Sequence, residues 1–88
     1  MNPTDHDYKE VLTEIVKKQA IILGPQIAIL KARGVAGVTV DDEGNVTNIE
    51  GDPQGVLQKV IDQYVALSGE IVKIAVNSVF AKYPSLRR

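Results

Sequence analysis

Apolar residues recur at helical spacing through the first third of the chain. Tyr8, Val11, Leu12, Ile15, Val16 and Ile22 mark one face, with Gln19 lying on it. Asp7, followed three residues later by Glu10, reads as a capping box at the start. Glu14 and Lys18 form a favourable i,i+4 pair on the outer face. Gly24-Pro25 breaks the pattern, because proline lacks an N–H and clashes with the preceding turn unless it opens a new helix. The spacing therefore predicts a helix over 7–23 and a second over 25–33. Lys31 and Arg33 suit the end of that second helix, and Gly34 suits a left-handed position just beyond it.

The periodicity then changes from helical to alternating. Val35 to Val40 and Val46 to Ile49 are short β-branched runs around Asp41-Asp42-Glu43-Gly44-Asn45, a hairpin pattern. A two-residue tip at Glu43-Gly44 would place Val40 opposite Thr47 and Val38 opposite Ile49. Val38, Val40, Thr47 and Ile49 would then share one face, and Thr39, Asp41, Val46 and Asn48 the other. Asp52 is a good N-cap and Pro53 a good first helical residue. Helical spacing resumes through Val56, Leu57, Val60, Ile61, Tyr64, Val65 and Leu67. It continues from Ile71 to Phe80, with a weak point at Ser68-Gly69 and a stop at Pro84.

Length decides how these pieces are arranged. One straight helix over 53–83 would span about 46 Å at 1.5 Å per residue, against roughly 30 Å for the diameter of a domain this size. The helix must bend near Ser68-Gly69 or protrude toward a partner. The expected fold class is α+β in α-α-β-β-α-α order, a central two-stranded antiparallel hairpin packed on helices in a roll-like arrangement. Residues 1–88 form a single domain, with flexible ends over 1–6 and 84–88.

The helix wheels point to association. Around Ile21, Ile22, Ile27, Ile29 and Leu30 the apolar positions face nearly all directions. In the last helix Glu70, Lys73 and Asn77 occupy one narrow polar face, and Ile71, Val72, Ile74, Ala75, Val76, Val79 and Phe80 cover most of the rest. A helix that is apolar all round needs cover all round, and a lone hairpin shields one face at best. Ile21, Ile22, Ile27, Ile29, Leu30, Val72, Val76, Val79 and Phe80 are the candidate interface, and a homodimer is the economical solution. Ile29→Glu is expected to disturb either folding or assembly.

Candidate chemistry adds little. The chain has no cysteine and one histidine, which removes disulfides, zinc ribbons and thiol catalysis. Asp5-His6-Asp7 reads as a solvated tail with a helix cap rather than a metal site. Asp41 to Asn45 lacks the spacing of a calcium loop. Gly34-Val35-Ala36-Gly37 follows a helix instead of preceding one, so it is no phosphate loop, and close backbone packing explains its glycines better. Ser68 and Ser78 lack a base, and Tyr8, Tyr64 and Tyr83 suit core or rim packing. No catalytic, metal or cofactor site is expected, and enzyme activity is not expected. Lys17, Lys18, Lys31 and Arg33 would attract an anionic partner if they converge. The net charge of −1 argues against nucleic acid. The polar N-terminus has no leader pattern, and the apolar run from Ala20 to Leu30 is too short to span a membrane. A cytoplasmic location is the expectation.

The stretch Leu23-Gly24-Pro25-Gln26-Ile27-Ala28, through Gly37-Val38-Thr39-Val40, to Ile49-Glu50-Gly51-Asp52-Pro53 resembles a family of short cyanobacterial proteins of uncharacterised biochemistry. The similarity covers nearly the whole chain and rests on layout rather than on a catalytic motif. The resemblance implies a small α+β protein with two central strands flanked by helices. It also implies a regulatory role linked to control of biofilm formation, with no catalytic residues to carry over. The expected function is a non-enzymatic regulatory or interaction module that binds another macromolecule, an unidentified protein. The alternatives are a nucleoid-type DNA-binding protein and a small-molecule sensor with an apolar pocket. A mobility shift at low salt and thermal stabilisation by metabolites would distinguish them.

Overall fold

Helix α1 runs from Asp5 to Leu23 and helix α2 from Pro25 to Arg33 in a computed structural model that describes residues 5–83. The first and last expected flexible stretches fall largely outside those residues. Asp5 and His6 do not: both belong to α1. Asp7 therefore lies inside the helix rather than capping it. The acidic first turn suits the positive end of the helix dipole, and His6 reaches forward to Glu10 at 2.9 Å, which supports the extra turn.

A single residue, Gly24, separates the first two helices, with φ at 91° and Pro25 opening α2 as expected. The other end of α2 departs from expectation. Gly34 is right-handed, with φ −72° and ψ −11°. The chain tightens there instead: the Gly34 N–H bonds to Leu30 and Lys31 carbonyls, and that of Val35 bonds to Ala32 at 3.1 Å. Val35 to Gly37 is thereby a turn, so strand β1 spans only Val38–Val40. The left-handed position falls at Gly37, φ 93°. A Cβ there would come within 2.7 Å of the Glu50 carbonyl oxygen and 2.9 Å of Val56 Cγ2. Close packing of the chain at this glycine is what the sequence suggested.

Strand β2 spans Val46–Ile49 and pairs antiparallel with β1. Val38 faces Ile49 as expected, but Val40 faces Val46 rather than Thr47, through a bulge. The turn chemistry explains the shift. Asp41 Oδ1 accepts from the backbone N–H groups of Glu43 and Asn45 at 2.9 and 2.8 Å, and Oδ2 accepts from Asn45 Nδ2 at 3.1 Å. The Asp41 N–H donates to the Asn45 carbonyl at 2.9 Å. Asp41 and Asn45 thus close a three-residue tip with Gly44 at positive φ. The carboxylate of Asp41 is held below its usual range by these donors, the Asn45 backbone N–H first. Thr47 is the extra residue of the bulge, and both Val40 and Val46 turn inward. The Val46 N–H donates to Thr13 Oγ1 of α1 at 2.9 Å.

Helix α3 covers Pro53–Ser68 and α4 covers Glu70–Phe80. Asp52 caps α3 through Oδ2, which accepts from the Gly55 N–H at 3.2 Å. The bend expected at Ser68-Gly69 is present, with Gly69 alone between the helices. The element order is α-α-β-β-α-α, as the sequence predicts. The described residues have a radius of gyration of 11.6 Å and extents of 34 × 24 × 19 Å. Their core draws Val11, Leu12, Ile15 and Val16 from α1 together with Leu57, Val60 and Tyr64 from α3 and Val72 and Val79 from α4.

Candidate interaction surface

The nine candidate interface residues divide into two groups. Ile29, Val72, Val76, Val79 and Phe80 are buried within the chain itself. The wheel argument undercounted the cover that four helices and a hairpin give one another. α4 lies against both α1 and α3, so two of its sides are shielded. Ile29 is closed over by the hairpin tip, since a Cβ on Gly44 would sit 3.9 Å from its side chain. Ile29→Glu would therefore place a charge in the core and report on folding alone.

Ile21, Ile22, Ile27 and Leu30 remain exposed, Ile21 by 85%. Three further aliphatic residues absent from the expected set join them: Leu67, Ile71 and Ile74. All seven lie within two turns of the Gly24 or the Gly69 corner along the chain, and the helix directions bring those two corners toward one end of the molecule, while Leu30 also lines the cleft between α2 and the hairpin tip. Tyr64, one turn before Leu67, donates its Oη to the Ala28 carbonyl at 2.6 Å, so the end of α3 meets the start of α2. Lys82, just beyond α4, pairs with Glu14 at 3.1 Å, so the end of α4 meets the middle of α1. The start of α4 then lies level with the end of α1, since both helices rise 1.5 Å per residue.

Stripes agree with this placement. Glu14 and Ile21 lie two turns apart on one stripe of α1. Lys82 lies in the turn that follows α4, about three turns on from Ile71 if the stripe of Ile71 is carried past Phe80. The Lys82–Glu14 ion pair joins the two stripes, which leaves Ile21 and Ile71 on the same side, at the corner end. Sequence reasoning found α1 and α2 because Gly24-Pro25 concentrates apolar residues there. It counted Ile71 and Ile74 in the apolar surplus of α4 but assigned the interface to Val72, Val76, Val79 and Phe80, because only packing tells which half of an apolar helix faces inward.

The basic candidates do not gather into one patch around Arg33. Its Nε donates to the Val40 carbonyl at 3.0 Å and its Nη2 bonds Asp42 Oδ1 at 2.7 Å, which ties α2 to the hairpin and offsets its charge. Lys17 is exposed, and Lys18 and Lys31 are half-buried. Glu14 is engaged by Lys82 across the fold rather than by Lys18.

Two clefts were not legible in the sequence. One, of about 490 Å³, lies between α2 and the hairpin tip and is lined by Pro25, Gln26, Ile29, Leu30, Arg33 and Asp42. The other, of about 400 Å³, includes His6, Glu10, Glu14, Val46 and Tyr83. Several of its polar groups engage one another: His6 pairs with Glu10, Lys82 with Glu14, and Tyr83 Oη donates to Glu10 Oε2 at 3.4 Å, while Lys9 also lines the cleft. Burial, and then the two carboxylates, push the Tyr83 phenol upward. Among the described residues no group of three or more histidines and carboxylates could hold a metal ion. None of their helices is long and apolar enough to cross a membrane. No family model, curated protein or solved structure matches this chain.

Proposed function

We propose that this chain is a non-enzymatic interaction module that pairs with a second copy of itself through the apolar end of its helices. It would act in a regulatory role, in the cytoplasm, by binding a further protein. The observation that carries the reading is the exposure of seven aliphatic side chains, each within two turns of the Gly24 or Gly69 corner. Their exposed fractions amount to roughly four fully exposed side chains, worth about 6–12 kcal/mol per copy if all are covered. Summed over the seven side chains this is roughly 700 Å² of exposed surface, near the ~800 Å² that each partner of a standard interface buries.

Size favours a second copy as the occupant. The patch has the area of one side of a complete interface, and a twofold pairing covers it with an identical one without further elements. Lys17 and Lys73 are exposed next to these aliphatic positions, Lys17 one turn before Ile21 and Lys73 between Ile71 and Ile74. A polar rim around an apolar centre is the usual anatomy of such a contact.

Sedimentation at micromolar concentration tests the reading, using the intact chain and an Ile21→Glu/Ile74→Glu variant. The expected result is a dimer for the natural chain and a folded monomer for the variant, because both side chains stand outside the core. A natural chain that sediments only as a monomer would overturn the proposal.

A further inference from the structure

Helices α3 and α4 are one helical run interrupted at a single residue. The N–H of Gly69 still bonds the Val65 carbonyl at 2.8 Å, so helical bonding continues up to the corner itself. The reversal rests on Gly69, with φ 62° and ψ −127°, a conformation that side chains disfavour. A Cβ at this position would meet nothing within 4 Å. Space therefore does not forbid a side chain at the corner, and it is the backbone preference of glycine that permits the bend.

We infer that Gly69 is a hinge for exchange of α4 between two copies of the chain. With Gly69 in helical conformation, Pro53 to Phe80 becomes one rod of about 42 Å, longer than the 34 Å greatest extent of the described residues. α4 must then leave its own α1. Val72, Val76 and Val79, buried in the closed chain, need the same cover elsewhere. The one surface of matching shape is α1 and α3 of a second copy, where α4 would re-form its contacts and the Lys82–Glu14 pair. Straightening also brings the hinge regions of both copies together, and these carry the exposed Leu67, Ile71 and Ile74. Exchange thus covers part of the apolar end and the core face of α4 in one step. This inference rests on the self-association proposed above and specifies how it is achieved.

Two substitutions and a cross-link test it. Gly69→Ala disfavours the bend and favours the continuous helix, so the dimerisation constant should rise by at least about tenfold. Inserting Gly-Ser-Gly after Ser68 relaxes the corner and should lower it. Glu14→Cys/Lys82→Cys, placed in a chain without other cysteines, reports which copy supplies α4 when a short thiol cross-linker is added. Links between chains in the dimer support exchange. Links only within chains overturn it while leaving the apolar-end dimer standing. A Gly69→Ala protein that is monomeric, or that loses its helix signal without dimerising, overturns exchange as well. A natural chain that stays monomeric overturns the proposed function and exchange in the natural chain together, even if Gly69→Ala forms interchain links.

Discussion

The phenol of Tyr64 donates to the carbonyl oxygen of Ala28 at 2.6 Å inside the core, joining α3 to α2 across 36 positions of sequence. Tyr64 is fully buried, and that burial drives its ionisation well above the ordinary tyrosine value. The bond gives a buried hydroxyl its partner, and it sets the level at which α3 passes α2. Tyr64→Phe should therefore destabilise the chain by about 1–1.5 kcal/mol. Urea unfolding followed by circular dichroism checks this. An unchanged midpoint would mean that the bond contributes nothing.

Gln19 presents the opposite case. It is fully buried on the core face of α1, and among the described residues neither its Oε1 nor its Nε2 has a hydrogen-bond partner. A buried amide without partners carries a desolvation cost of about 1–3 kcal/mol. Gln19→Met, close in length and volume, should raise stability by about 1–2 kcal/mol. A loss of stability in thermal unfolding would show that the amide is satisfied in solution by a group or water.

Glycine positions should differ sharply under the same substitution. Gly37→Ala meets the Glu50 carbonyl oxygen and Val56 at distances real Cβ atoms do not tolerate, on top of its positive φ. Gly51 has a positive φ but open space around it. Gly51→Ala should cost about 1 kcal/mol, and Gly37→Ala about 2 kcal/mol more through displacement of β1 from α3. Equal losses in a denaturant series would refute the steric difference.

The hairpin tip should depend on acid. The folded chain lowers the Asp41 carboxyl below its model-compound value of 3.8 because the ionised group accepts the Asn45 and Glu43 donors. The resulting stability is present above that value and is lost as pH falls through the lower folded one. Protection of the Glu43 and Asn45 amides, measured as exchange relative to the intrinsic rate at each pH, should fall below about pH 4 in the natural chain. Asp41→Asn should remove that acid step. Protection in the natural chain that is flat from pH 6 to pH 2 would contradict this account.

The order of elements was legible because local physics fixes it. Gly24-Pro25 interrupts any helix, Asp52-Pro53 starts one, and a glycine beside Ser68 provides the place where a 46 Å rod can fold back. The hairpin was legible in outline and mistaken in register. The carboxylate of Asp41 gathers three donors and closes a longer tip than the strand pattern alone suggests. The resulting bulge turns Val46 inward and Thr47 outward.

The sequence by itself determined which segments are helical, where they turn, and that the chain carries more aliphatic helix surface than a polar protein needs. Only the tertiary structure decided how that surplus is shared. Val72, Val76, Val79 and Phe80 go to the core, while Ile21, Leu30, Ile71 and Ile74 are left to solvent. The reason is that helical periodicity is a property of one segment, whereas burial depends on which other helices lie beside it. That choice rests on contacts such as Tyr64 with Ala28 and Lys82 with Glu14, between residues dozens of positions apart.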